Sequence, residues 1–232
     1  MNRIFLLSPA HSGGKRAAML LRPQAQFDLA SRVRSGAATL GEVFAFCSGL
    51  YFRGKLAYAR RFAKPPCGIE GVQIITTSRG LVPAHSRVGS DTLREFAAVE
   101  VDLAEPRFVN PLMRSAEELA RTGAEVVLLG SIATAKYVDC LLPVLGERLV
   151  FPSSFVGRGD MSRGALLLQC AAAFEELRYT PLAGAVLRGR RVSGLVIPKG
   201  GASVREPRPP RSCPPGGREK PDAAISRRRS IP

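Results

Sequence analysis

Four stretches of the chain pass from an apolar run into small, polar and basic residues. Ile4-Phe5-Leu6-Leu7 leads into Ser8-Pro9-Ala10-His11-Ser12-Gly13-Gly14-Lys15, and the run from Val72 to Thr77 leads into Ser78-Arg79-Gly80. Val126-Val127-Leu128-Leu129 leads into Gly130-Ser131, with Lys136 further on. Leu149-Val150-Phe151 leads through Pro152 to Gly157-Arg158-Gly159-Asp160, then Ser162 and Arg163. Glycine lets backbone N–H groups come close to an anion, and Arg and Lys add full charges. The pattern therefore predicts phosphate or nucleotide contacts at Ser12, Gly13, Gly14, Lys15, Ser78, Arg79, Gly130, Ser131, Lys136, Gly157, Arg158, Gly159, Ser162 and Arg163.

Each stretch also has a plainer reading. Ser12-Gly13-Gly14-Lys15 resembles half of a P-loop, but it lacks the early glycine, and Arg16 stands where Ser or Thr should follow the lysine. An ordinary strand-to-helix turn explains it more simply. His11 has the side chain of a general base near neutrality, although a single loop histidine is more often structural or solvated. Asp160 suits a base or a ribose contact, and equally an N-cap. Arg79 fits a solvated turn as well as a ligand contact. Between Leu50 and Arg61, aromatic residues alternate with basic ones, which suits base stacking with phosphate contact. On a helix the same pattern puts aromatics in the core and a basic face outside. No Ser–His–Asp set, carboxylate pair or metal cluster emerges, and the sequence calls for no cofactor.

Short apolar runs alternating with longer periodic segments predict an α/β fold. The expected form is a three-layer sandwich with a mostly parallel central sheet of about four to five strands. Helices are expected over Leu40 to Phe62, Pro111 to Arg121, Ala133 to Leu145 and Met161 to Leu177. Thr39 and Glu42 have capping-box spacing, Gly49 and Gly54 are candidate breaks, and Gly123 is a candidate stop. Tyr179 to Arg191 suits an edge strand or hairpin because it contains Pro181. If the strands are parallel, all four polar stretches rise on one rim, where open α/β sheets bind ligands.

The 232 residues are 45% hydrophobic, enough for one ordinary core. Mean hydropathy is +0.03, and no apolar run approaches the roughly 18 residues of a membrane span, so the sequence predicts a soluble protein with no membrane partner. Ile4-Phe5-Leu6-Leu7 is too short for a secretory segment and reads as a buried first strand. Five cysteines without a C-x-x-C pair fit a reducing, cytoplasmic compartment. The net charge is +15 and the pI near 10.6. Residues 199–232 hold nine Lys/Arg and three Asp/Glu, which puts +6 there and +9 in residues 1–198. The division into a 1–198 domain and a 199–232 tail follows from the Pro/Gly/Arg-rich composition of that tail, which predicts disorder. A shifted reading frame through GC-rich sequence would give the same composition.

The stretches Leu50–Lys55, Ile75–Leu81 and Phe155–Gly164 resemble those of a bacterial family of unknown function. More remotely, the order of elements across residues 3–190 is similar to a domain family built from an aromatic-rich helix, a strand with a small–basic–glycine–leucine turn, and a strand followed by a tyrosine-bearing helix. Tyr137 would be that tyrosine. Those domains resemble the three-layer α/β fold of uracil-DNA glycosylases. The resemblance implies the fold; no glycosylase catalytic motif is present to transfer. Together with the charge, it gives the expectation of a nucleotide or nucleic-acid partner, and of chemistry on a nucleobase or glycosidic bond. The alternatives are an enzyme of small phosphorylated metabolites and a non-catalytic protein that docks acidic partners. The sequence leaves the oligomeric state open.

Overall fold

The computed structural model describes residues 1–131 and 135–185. The elements run in the order β1 (Arg3–Leu7), α1 (Lys15–Leu20), α2 (Asp28–Arg34), β2 (Ala38–Thr39), α3 (Leu40–Ser48), α4 (Leu50–Phe62), β3 (Val72–Ile75), β4 (Leu81–Pro83) and β5 (Arg87–Val88). There follow α5 (Ser90–Ala97), α6 (Pro106–Arg121), β6 (Glu125–Leu129), α7 (Ala135–Leu145), β7 (Leu149–Pro152), α8 (Asp160–Ala173) and β8 (Tyr179–Pro181).

Six strands form the main sheet in the order β4-β3-β1-β6-β7-β8, and β2 pairs with β5 in a separate two-stranded ribbon. β3, β1, β6 and β7 are parallel, with Phe5 opposite Val72 on one side and Val127 on the other. β4 and β8 close the sheet as antiparallel edges. The expected mostly parallel α/β sheet is thus present, with Leu81–Pro83 as a strand where the sequence suggests a turn.

Alternation along β1 divides the interior into two cores, as expected for a strand buried on both faces. Phe5 and Leu7 point to one side with Ile74, Val127, Leu129 and Val150, and α2, α3, α4, α5 and α8 cover them. Ile4 and Leu6 point to the other with Ile75, Val126, Leu128, Leu149 and Phe151, under α6 and α7. That arrangement is the three-layer sandwich.

Local sequence accounts for the helix ends. Thr39 and Glu42 form the capping box of α3: the Glu42 N–H donates to Thr39 Oγ1 at 3.4 Å, and the Thr39 N–H donates back to Glu42 Oε2 at 2.9 Å. The Leu40–Phe62 segment breaks at Gly49, whose φ of +67° favours glycine. α6 starts five residues before the expected Pro111. Pro106 stands at its first position, where the missing N–H costs no helix bond, and Pro111 lies inside the helix. α8 ends at Ala173 instead of Leu177, because Phe174 turns left-handed (φ 59°) with its ring under the Arg61 guanidinium.

Gly54 does not break α4. It lets α4 approach α8 so closely that a Cβ at 54 would lie 2.6 Å from the Gly164 carbonyl oxygen, and one at 164 would lie 2.8 Å from Tyr51 Cα. No helix among the described residues is long and apolar enough to cross a membrane. The 199–232 tail lies outside the described residues, as does the part of the expected Tyr179–Arg191 strand beyond Ala185.

Candidate functional site

Because β1, β3, β6 and β7 are parallel, Ser8, Thr76, Gly130 and Ser153 all leave the same edge of the sheet. The chain leaves β1 for β3 on one side, then crosses back to lay β6 on the other side of β1. The reversal makes the carboxyl ends of β1 and β6 the switch point at which such sheets form their crevice. A cavity of about 410 Å³ opens here. The loop after β1 contributes His11, Ser12 and Gly13, the turn after β3 contributes Thr77, and α7 contributes Lys136 and Tyr137. The connection from α5 to α6 adds Glu100 and Asp102, so the lining carries both signs of charge.

Ser12 is 7% exposed, and its buried Oγ has no hydrogen-bond partner. Such an atom costs about 1–3 kcal/mol when nothing meets it, so the Ser12 hydroxyl calls for a partner that the described residues do not supply. Burial pushes the Tyr137 phenol up to about 12, so it enters the cavity as a neutral donor beside Phe108. Thr77, by contrast, spends its Oγ1 on the Phe96 carbonyl at 2.8 Å.

Of the residues singled out from sequence, His11, Ser12, Gly13 and Lys136 line this cavity together. Gly13 and Gly14 wrap the His11 ring. A Cβ at 14 would lie 3.1 Å from its Cδ2, and the Gly14 N–H donates to the His11 carbonyl at 3.3 Å. Lys15 is exposed at the start of the six-residue α1 and is not part of the wall.

Ser78 and Arg79 turn to Glu95 of α5. The Ser78 hydroxyl donates at 2.6 Å, and the Arg79 guanidinium forms a fork whose Nε lies 2.9 Å from Oε1. Ser78 borders a separate groove with Arg107, Asn110 and Arg114. Ser131 is half-buried just past β6. Gly130 makes room for Ser8, since a Cβ there would lie 2.8 Å from Ser8 Cβ and 3.0 Å from Ser8 Oγ.

The stretch after β7 is occupied by its own contacts. Arg158 donates to the Ser154 carbonyl at 3.0 Å and to Ser162 Oγ at 3.1 Å, and Gly157 takes a φ of +74°. Arg163 is buried and gives Nε and Nη2 to the Phe155 carbonyl. Gly159, not Asp160, is the N-cap of α8; Asp160 is its first residue, exposed and 3.6 Å from Arg163. An acidic group in the first turn suits the helix dipole without side-chain capping. β3 and β7 are separated by β1 and β6, so Arg79 and Arg158 share an edge but not a contact.

Sequence reasoning placed Lys55 on a basic outer face, and there the structure differs. Lys55 is 2% exposed, and its Nζ donates to the Ser8 carbonyl at 2.7 Å and to Ser8 Oγ at 2.9 Å. The Tyr51 and Phe52 rings each lie 4.7 Å from the amine. Burial without a touching carboxylate lowers its pKa to about 7, against a weak opposing pull from Asp160. The signal in the sequence was Gly54 beside it: a glycine inside a helix marks close approach, and the Gly54–Gly164 crossing seats Lys55 under the end of β1. Tyr51, one turn earlier, also carries a buried hydroxyl without a partner.

No protein-family model matches the chain, and neither a curated protein nor a solved structure shows significant similarity to it.

Proposed function

We propose that the crevice binds a nucleoside or mononucleotide, and that the protein acts on the base or its glycosidic bond. The observation that carries this reading is the unpartnered Ser12 hydroxyl in a cavity of mixed polarity at the switch point of the sheet. A volume of about 410 Å³ suits a ligand of that size. Lys136 and His11 provide the side for a phosphate. Glu100 and Asp102 accept from ribose hydroxyls or an exocyclic amine, and Tyr137 offers an aromatic edge and a donor. A long nucleic-acid backbone fits less well, because the arginines that would track it, Arg79, Arg158 and Arg163, are bonded to Glu95, Ser154 and Phe155.

The test is a thermal-shift series on the full chain with nucleosides, mononucleotides, sugar phosphates and short DNA and RNA, at low and physiological salt. A ligand at about 100 times its Kd stabilises by about 2.7 kcal/mol. For a domain of this size that raises Tm by roughly 5–10 °C. A nucleoside or mononucleotide should give such a shift at physiological salt, and Ser12→Ala should reduce it. Shifts from sugar phosphates alone would move the reading to a phosphorylated metabolite. Shifts from polyanions alone, erased by salt, would reduce it to general electrostatics.

A further inference from the structure

Lys55 is a buried amine at 2% exposure, and nothing in the nucleotide reading uses it. An amine removed from water carries a penalty of several kcal/mol unless it is paired or neutral. No carboxylate touches it: its polar partners both belong to Ser8, and two aromatic rings cover the rest. The other charged groups nearby sit on α8. Asp160 acts on the amine across space, and Arg163 is bonded to the Phe155 carbonyl and pairs with Asp160. β1 offers the amine only Ser8, and Tyr51 on its own helix is a neutral phenol held up by burial.

We propose that Ser8 and Lys55 form a nucleophile–base pair that attacks an acyl carbonyl of the ester or thioester class. Three features carry it. The amine reaches the Ser8 hydroxyl at 2.9 Å, within the range for proton transfer. A neutral amine has two N–H donors and one lone pair. One donor meets the Ser8 carbonyl at 2.7 Å, which leaves the lone pair for the Ser8 O–H. Lastly, Ser8 lies at the β1–β6 switch point, next in the chain to Pro9 of the cavity wall, and the bare backbone of Gly130 packs against it so closely that a Cβ there would lie 3.0 Å from Ser8 Oγ.

The exposures divide the roles. Ser8 keeps 7% of its surface and Lys55 keeps 2%; in the proposed pair the serine, beside Pro9 of the cavity wall, is the group that takes substrate, and the amine acts through it. A carbonyl fits better than a phosphoryl group because, among the described residues, no free guanidinium stands beside Ser8 to offset added charge. Arg79, Arg158 and Arg163 are bonded elsewhere, and Lys136 is exposed at the start of α7.

In the reaction, Ser8 Oγ bonds to the carbonyl carbon as its proton passes to Lys55 Nζ. The tetrahedral adduct collapses, and the leaving alkoxide or thiolate takes that proton. Water then attacks the acyl-serine ester with Lys55 again accepting a proton, which returns to Ser8 Oγ as the carboxylic acid departs. A folded-state amine pKa of about 7 leaves the lone pair available at neutral pH.

The proposal does not rest on the nucleotide reading, and its test needs no nucleotide. The full chain is treated with an alkyl fluorophosphonate between pH 5.5 and 9, and adducts are located by intact mass and peptide mapping. One adduct is expected, on Ser8, with a rate that rises through a midpoint near pH 7. Ser8→Ala should abolish it, and Lys55→Met should slow it by at least about a hundredfold, the usual share of a general base. Circular dichroism checks that Lys55→Met is folded. If that variant does not fold, the pH profile of the wild-type chain decides: labelling of Ser8 that is flat across the range overturns the pair. No Ser8 adduct on the folded chain, or an equal rate in folded Lys55→Met, also overturns it.

Discussion

Two sets of cations stand at the same edge of the sheet and are treated in opposite ways. At the end of β3, Arg79 is half-exposed and meets its opposite charge on Glu95, with Ser78 completing the cluster. At the seam of α4 and α8, Lys55 and Arg163 are buried and serve backbone carbonyls, of Ser8 and Phe155. The first arrangement is cheap and adjustable, because water screens every partner. The second is rigid, because removal of either cation leaves a buried carbonyl without its partner. The contrast shows that charge density in the sequence does not locate a site. Arg79 and Arg158, which the sequence singled out, are occupied by their own neighbours, whereas Lys55, hidden by a glycine crossing, is buried without a carboxylate against it.

The comparison breaks most readily at the glycine crossing. Gly54→Ala puts a methyl 2.6 Å from the Gly164 carbonyl oxygen, where neither backbone can yield easily. Overpacking of this kind should cost about 3 kcal/mol and lower Tm by roughly 6–12 °C, as read by calorimetry. An unchanged Tm would mean that α4 and α8 have more room than the seam shows.

A pH titration sharpens the difference next. Lys55 has a folded pKa of about 7 against an unfolded value near 10.5, so the unfolded chain binds the extra proton between those limits. This lysine's contribution to stability is therefore full above pH 10.5, falls as pH drops toward 7, and is flat below. Between pH 7 and 10 the slope should be about 1.4 kcal/mol per unit. Denaturation of wild type against Lys55→Met isolates it; parallel curves would put the amine in water.

Smaller effects belong to groups that face solvent. Thr39→Ala removes one arm of the α3 capping box and should cost about 1 kcal/mol in urea melts, whereas Thr39→Ser should keep most of it. Arg79→Ala should cost less than about 0.5 kcal/mol, and less again in high salt. A loss from Arg79→Ala as large as that from Gly54→Ala would erase the distinction between the two regions.

The fold was largely legible because its signals are local. Four short apolar runs mark the parallel strands, Thr39 and Glu42 mark the start of α3, and Gly49 marks its end. β4 was not, since Leu81-Val82-Pro83 follows a left-handed Gly80 and reads as part of the turn. α5 has a clear apolar side in Leu93 and Phe96, but its eight residues are too few to stand out. For the site, the residues after β1 and Lys136 lie in the cavity wall, yet nothing in the residue types marks Arg158 as turning back to Ser154 four positions earlier, and Glu95 lies 16 positions from Arg79. Lys55 was the hardest to read. Its burial depends on Gly164, 109 positions away, and on the end of β1, so a periodic pattern in α4 alone sends it outward.

The antiparallel strands that close the sheet have a consequence for how the molecule meets its own copies. β4 and β8 are each three residues long and end in proline, Pro83 and Pro181, which have no N–H to offer. An incoming strand would find a ledge too short and too poor in donors to extend the ladder. Both borders of the sheet are thereby guarded against strand addition, the route by which open parallel sheets aggregate.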